Sequence, residues 1–476
     1  MVVQHNMQAA NANRMLNVTT GQQAKSTEKL SSGYRINRAA DDAAGLSISE
    51  KMRKQIRGLD KASSNAEDGV SSVQTAEGAL TEVHSMLQRM NELATQSANG
   101  TNSTTDRSAI QDEISQLTTE IDRVAETTKF NETYLLKGGD GTKQEYMKGH
   151  DAGLKGALTD GTTKATFKVA AGALDEGKSV TIGGKDYTIG SAVADVQTAV
   201  GKLNTAGDKV TVNDKTYTYV AANTAAPGGQ NVTTAGWVLD GDKTSVAGTT
   251  LTIANGDKVT TTPKNGASAS YTAAEMDNGV SKADPSIISA EKAVSLMKDE
   301  LIAANKVGVT NGTVTITGTP AYDKDNGVTF EINKGSAEVA NKLSFSLHVG
   351  SDADMTNKIT VGIETMNSSY LGIKGLNVND DSGIAGTYAI DAISDALQKV
   401  SDQRSSLGAV QNRLEHTIDN LDNVVENTTS AESRIRDTDM AKEMVNYSKN
   451  NILAQAGQSM LAQANQANQG VLSLLG

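Results

Sequence analysis

Apolar residues recur at three- and four-residue spacing over most of both ends of the chain. Ile48, Met52, Ile56, Leu59, Ala66, Val70, Val73, Ala76, Leu80, Val83, Leu87, Met90 and Ala94 form one such seam, and its length predicts a long helix with one buried face. A second stripe beside it, Ala79, Val83, Met86, Met90 and Leu93, widens the apolar face enough for two partner helices, which favours a bundle over a two-stranded coil. After Asn99-Gly100-Thr101-Asn102, Ser103 with Asp106 three residues on resembles a capping box, and Ile110, Ile114, Leu117, Ile121 and Val124 carry the spacing forward. The chain is therefore expected to fold back as an antiparallel helical hairpin. Ile390, Ile393, Leu397, Val400, Leu407, Leu414, Ile418, Leu421 and Val425 supply a third helix from the other end, interrupted by Arg404 and Gln411. Three helices drawn from both ends then close one core.

The extreme ends carry thinner stripes. Ala9, Ala12 and Leu16, and Ala456, Met460, Ala464, Ala467, Val471 and Leu474, are helically spaced but set among small and amide-bearing residues. A helix with so little to bury is marginal in water, so these ends are expected to order only against partners.

Residues 141–342 change character. β-Branched alternation at Val180–Ile182, Val210–Val212, Leu251–Ile253 and Val314–Ile316 predicts short strands between Gly, Asn and Asp turns. The runs VTIGGKDYTI at 180–189 and VTVNDKTYTY at 210–219 read as a duplicated hairpin, around a short helix carrying Val193, Val196, Val200 and Leu203. A further helix is expected from Asp284 as N-cap, with Pro285 at its first position and Ile287, Ala290, Val294, Met297 and Leu301 as its stripe. All four prolines (Pro227, Pro263, Pro285, Pro320) lie in this middle part. The fold class expected is mostly α, with N- and C-terminal helices combined into a coiled-coil and bundle core, plus an α+β, β-rich insert.

Composition narrows the function. The 476 residues include only 1 Trp, 11 Tyr and 4 Phe, which removes the rigid side chains that usually line ligand pockets. A net charge of −12 opposes a phosphate-binding surface, so nucleic acid is not an expected partner. Absent cysteine excludes disulfides, thiolate metal sites and thiol nucleophiles. No run of 18 apolar residues occurs, and the first 16 residues lack the basic and apolar regions of a cleavable signal. No membrane partner is expected, and by itself this pattern reads as cytoplasmic.

Candidate chemistry is thin. Gly172-Ala-Leu-Asp-Glu-Gly177-Lys178-Ser179 matches the phosphate-loop string, but Ser179-Val180-Thr181-Ile182 reads as a strand where that loop needs a helix. His5, His84, His150, His348 and His416 are scattered, without H-E-x-x-H, so neither a metal nor a zinc-protease insert is expected. Asp41-Asp42 and Asp380-Asp381 read as solvated turns, and sequons such as Asn102-Ser-Thr104 and Asn231-Val-Thr233 are frequent by chance in this composition. No catalytic residue and no cofactor is assigned.

Three motifs carry a resemblance: Leu30-Ser-Ser-Gly-Tyr-Arg-Ile36, Ala39-Ala-Asp-Asp-Ala-Ala-Gly-Leu-Ser47 and Ala431-Glu-Ser-Arg-Ile-Arg-Asp-Thr-Asp439. With Gln411-Asn-Arg-Leu-Glu415 and Gln469-Gly-Val-Leu-Ser-Leu-Leu-Gly476, the chain resembles bacterial flagellin over residues 1–140 and 343–476. The resemblance implies a self-assembling subunit of the flagellar filament, secreted through the flagellar type III apparatus without a cleaved signal, which replaces the cytoplasmic reading. It implies terminal coiled-coil helices at 1–44 and 437–476 lining the inner tube, and a bundle at 45–140 and 343–436 forming the outer tube. A β-hairpin at 343–373 would pack on that bundle, and a variable insert at 141–342 would be exposed. Implied partners are further copies of the chain, the flagellar cap and hook–filament junction proteins, and a secretion chaperone on the C-terminal helix at Met444, Ile452, Met460 and Leu474. Gln88, Arg89, Leu93, Gln96 and Glu113 match the segments that Toll-like receptor 5 contacts in flagellins of this type. The reading that competes from the residues alone is a secreted, adhesin-like binding module acting through the insert.

Overall fold

The computed structural model describes residues 6–225, 231–232, 234–241, 250–380 and 382–475. His5, Pro227, Thr233, Asp381 and Gly476, and the side chains of Val471 and Leu474, lie outside the described residues. About half of the chain is helical: α1 Met7–Ser32, α2 Ala43–Ser97, α3 Thr104–Thr127, α4 Val193–Gly201, α5 Ala290–Asn305, α6 Ser368–Leu371, α7 Ile384–Arg436 and α8 Met440–Leu475. The strands concentrate in the middle. The chain divides into two compact units.

The first unit holds residues up to Gln74, Phe345–Val361 and the chain from Leu407 on. Here α1 and α8 run antiparallel, with Asn6 Nδ2 donating to the carbonyl of Ala464 at 3.1 Å and Leu16 lying against Gly457. The ends expected to order only against partners thus have one in the same chain. Their shared interior is nonetheless thin, and within α1 only Ser26 is buried. The strands Leu343–His348 and Lys358–Ile363 form the expected hairpin, whose Val349 and Ile359 pack on Ala66 and Leu414. Asn65 Nδ2 donates to the carbonyl of His348 at 3.0 Å and fixes the register of that contact.

The second unit holds Thr75–Ser344 and Gly362–Ser406. Leu80, Val83, Leu87, Met90 and Leu93 of α2, Ile114 and Ile121 of α3, and Ile393 and Val400 of α7 are buried, as the seams require. The expected capping box is present: Ser103 Oγ accepts from the Asp106 N–H at 3.2 Å, and Asp106 Oδ2 accepts from the Ser103 N–H at 3.0 Å. Arg89 reaches Glu113 and Arg107 reaches the Ser97 carbonyl, which sets α2 and α3 antiparallel. Asp380 caps α7, accepting from the N–H groups of Gly383 at 2.8 Å and Ile384 at 3.0 Å. Burial pushes its carboxyl pKa up, but hydrogen bonds from Ser382, Ala385, Gly383 and Ile384 outweigh that and hold it below the ordinary value.

The insert enters and leaves on one pair of strands, Gly139–Tyr146 against Ser336–Asn341. Beyond it, a four-stranded sheet and a five-stranded sheet enclose α5, with Phe167 and Phe330 at a centroid distance of 6.2 Å. A six-stranded sheet packs on α4, with Tyr219 edge-on to Trp237 at 5.3 Å. The two similar runs are both hairpins, Ser179–Ile182 with Lys185–Ile189 and Lys209–Val212 with Lys215–Val220. Gly183-Gly184 and Asn213-Asp214 turn them with two successive positive φ angles, the conformation that matches the strand twist.

Two expectations fail locally. Leu251–Ile253 is not a strand: Gln197 of α4 binds both its Leu251 carbonyl and its Ile253 N–H, doing for this segment what a neighbouring strand would do. The helix expected from Asp284 starts later, because Ile287–Ile288 pairs in parallel with Thr188–Ile189 and Ser289 becomes the N-cap, accepting from the Lys292 N–H at 3.2 Å. Asp284 caps only a turn, to Ser286.

Gly386 lets α7 approach α2 closely, since a Cβ there would stand 2.8 Å from Ala98 N and 3.1 Å from Ala94 O. Backbone atoms yield little. Gly386→Ala is therefore expected to lower stability by ~1–2 kcal/mol in urea unfolding, overpacking outweighing the gain in helix propensity. Gly408→Ala, which meets nothing within 4 Å, is expected to raise it by ~0.5–1 kcal/mol. Equal signs for the two would show that the close approach is not what selects glycine.

Candidate functional site

Four of the five receptor-contact candidates share an outward-facing strip of α2 and α3. Arg89 is exposed and held from two sides, Nε donating to Glu113 Oε1 at 2.9 Å and Nη1 to Glu92 Oε2 at 3.1 Å. The bonds to Glu113 and then Glu92 raise the guanidinium pKa above its ordinary value. Exposed pairs of this kind add little stability, but they pre-orient the guanidinium. Gln88 is exposed one residue before, with its amide 3.1 Å from His84 Nε2. Gln96 is exposed one residue before the end of α2, where its carbonyl accepts from Asn102 Nδ2 and the Asn99 N–H.

Leu93 is different. It is 2% exposed and belongs to the bundle interior, so within the single chain it supports the strip from below and presents no apolar anchor beside Arg89. Its place in the second apolar stripe, Val83, Met90 and Leu93, already pointed to this burial. Glu92, by contrast, was not among the candidates, although its position three residues after Arg89 puts it on the same helical face.

A second surface lies on the terminal helices. Met7, Met15 and Val18 of α1, and Met440, Met444, Val445, Ile452, Leu453 and Met460 of α8, are exposed. Where these helices meet their neighbours, the first and third recognised motifs come together. The Arg35 N–H donates to the Arg436 carbonyl at 2.7 Å and the Thr438 N–H to the Gly33 carbonyl at 2.9 Å. The Arg436 guanidinium stands 4.9 Å from the centre of the Tyr34 ring and pairs with Glu50 at 2.8 Å. This junction joins Gly33 and Arg35 to Arg436 and Thr438 across most of the chain and left no trace in the spacing of either motif.

Other candidate chemistry does not assemble. Among the described residues, no group of three His, Cys, Asp or Glu could hold a metal, and no helix is long and apolar enough to cross a membrane. The string Gly172–Ser179 leads into the strand Ser179–Ile182, as its β-branched run required. His84 and His416 lie on bundle helices α2 and α7.

Two family profiles match the chain, one described as the bacterial flagellin N-terminal helical region over residues 3–140 and one as the C-terminal helical region over residues 390–475. A flagellin of Clostridium tyrobutyricum is 40% identical over 479 residues, covering 98% of this chain and 100% of that protein. A flagellin of Halalkalibacterium halodurans is 34% identical over 475 residues, covering 100% of each. Among solved structures, FliC from Burkholderia pseudomallei is 20% identical, covers 72% of this chain and 99% of that one, and has a TM-score of 0.28.

The contrast between Leu93 and Arg89 is measurable. Leu93→Ala is expected to cost ~2–5 kcal/mol in urea unfolding, whereas Arg89→Ala is expected to cost less than ~1 kcal/mol. Comparable losses would mean that the strip is structural.

Proposed function

The chain belongs to the bacterial flagellins and is a structural subunit of the flagellar filament, not an enzyme; from that premise we propose that it builds the filament by self-assembly through its terminal helices, in the service of swimming motility. The observation that carries this reading is the apolar surface of α8, where Met444 is 53%, Ile452 66% and Met460 65% exposed. Burying what remains exposed of each against another copy is worth ~1–2 kcal/mol before the entropy of association is subtracted. The α1–α8 pair covers one side of each helix, and axial neighbours cover the rest. In this reading residues 1–44 and 437–476 make the inner tube, residues 45–140 and 343–436 the outer tube, and residues 141–342 the exposed variable part.

The same surface explains the remaining partners. A subunit exported through the flagellar type III apparatus needs its sticky C-terminal helix covered first, and a secretion chaperone on Met444, Ile452 and Met460 serves that purpose. Cap and hook–filament junction proteins receive the same helices at the two ends of the filament. Toll-like receptor 5 recognises the strip of Gln88, Arg89, Gln96 and Glu113, with Leu93 beneath it. A guanidinium already fixed by two carboxylates loses less entropy when a receptor docks on it.

Seeded polymerisation followed by electron microscopy tests assembly. The full chain is expected to form filaments and a chain lacking residues 437–476 is not; monomers from both under every seeding condition would overturn the reading. For the receptor, Arg89→Ala is expected to weaken activation in a reporter cell line by about tenfold or more, the scale of an interfacial arginine anchor. Unchanged potency would remove Arg89 from the contact.

A further inference from the structure

The second unit contains a lysine that no assembly or receptor role uses. Lys399 of α7 lines a cavity of about 140 Å³ whose apolar walls include Met147, Leu371 and Ala392. Its Nζ donates to the Tyr370 carbonyl at 2.6 Å and stands 4.9 Å from the centre of the Tyr370 ring. Among the described residues it forms no ion pair with a carboxylate.

The surrounding acids are engaged elsewhere. Asp395 pairs with Lys148 at 2.8 Å, and Glu145 and Glu364 pair with Lys143 at 3.6 and 3.3 Å. Asp402 accepts from Gln398 at 2.8 Å. Burial pushes the Lys399 amine below the ordinary lysine pKa, and the charges of Lys143 and Lys148 push the same way against the pull of Glu145 and Asp395. Tyr370 adds no charge of its own, because burial pushes its phenol up to about 12. Asp395, one helical turn before Lys399 on α7, lines the same cavity; its Oδ2 is buried without a hydrogen-bond partner, and His150 Nε2 stands 3.6 Å from it.

We propose that Lys399 is a covalent attachment site for short uncharged aldehydes, which enter the cavity and are held as an imine on Nζ. The nitrogen lone pair attacks the carbonyl carbon and the C=O π pair moves to oxygen, giving a carbinolamine. One nitrogen hydrogen passes to that oxygen to complete the carbinolamine; the hydroxyl then leaves with the second nitrogen hydrogen as water, and the C=N bond forms. Asp395, which lines the same cavity, takes the proton that the nitrogen sheds and passes it to the departing hydroxyl. A charged aldehyde is disfavoured, because Lys148 and Asp395 already balance each other at the polar end and the walls are apolar. The volume suits a molecule of a few heavy atoms. Lysines removed from water in this way are the ones that form Schiff bases.

The test uses the full chain with limiting propanal and cyanoborohydride at pH 7, followed by peptide mapping in a mass spectrometer. Lys399 is expected to gain a propyl group several-fold faster than the exposed Lys155, Lys202 and Lys374, and its rate should level off at lower pH than theirs. Ala392→Leu, which fills the cavity, is expected to bring Lys399 down to the rate of the exposed lysines or below while leaving theirs unchanged. A Lys399 that labels no faster than exposed lysines in the unaltered chain overturns the proposal. So does an Ala392→Leu chain in which Lys399 keeps its full rate.

Discussion

A buried guanidinium holds the end of the bundle in the second unit together. Arg107 is 3% exposed, and it donates to the carbonyls of Ser97 at 2.9 Å, Asn99 at 3.2 Å and Asp380 at 3.1 Å. The first two stand at and just past the C-terminal end of α2, where helix carbonyls have no partner within the helix and the macrodipole is negative. The third belongs to the residue that caps α7. One side chain on α3 thus satisfies the close of one helix and places the start of another. Gln111 extends the clamp, taking the Val378 N–H at 2.7 Å and donating to the Leu376 carbonyl at 3.0 Å. The Ser97 hydroxyl adds a bond to the Val378 carbonyl at 2.7 Å. Without these polar contacts the apolar seams would specify that three helices meet, but not at which residue α7 begins.

The two kinds of helix in this chain differ in where their apolar side chains end up. In the bundle, Leu80, Leu87, Met90 and Leu93 are buried within one chain. On α8 the same side-chain types face outward, and α1 covers them only in part. Burial per side chain is worth the same in both places, so the difference is one of ownership. The bundle keeps its stabilisation to itself, whereas α8 leaves much of its own to be completed by another molecule.

Much of the helical architecture was legible because it is written in spacing. The seam from Leu59 to Ala94, the capping box at Ser103 and Asp106, and the third helix through Ile393 and Val400 each follow from local periodicity. The paired hairpins at 180–189 and 210–219 followed from alternation and turn residues. What stayed hidden depends on side chains arriving from elsewhere. Gln197 replaces a strand for Leu251–Ile253, and the pairing of Ile287–Ile288 with Thr188–Ile189 takes the first turn away from the helix expected at Asp284. For the receptor strip, the second apolar stripe already placed Leu93 on the buried side; what stayed hidden was the pairing of Arg89 with Glu113, which depends on α3 folding back alongside α2.

The pairing of Gly139–Tyr146 with Ser336–Asn341 also bears on how the chain reaches its native state. The bundle draws its helices from segments separated by the whole insert, and the entropy of closing a loop grows with the logarithm of its length. Contacts that distant in sequence slow folding. Once these two strands zip, the loop that α7 must close shrinks from the full insert to the segments 128–138 and 342–383 on either side of the ladder. With the insert folded, the bundle's two halves are already brought to the same place. The strand pair then serves as a splice, making a discontinuous core behave kinetically like a continuous one.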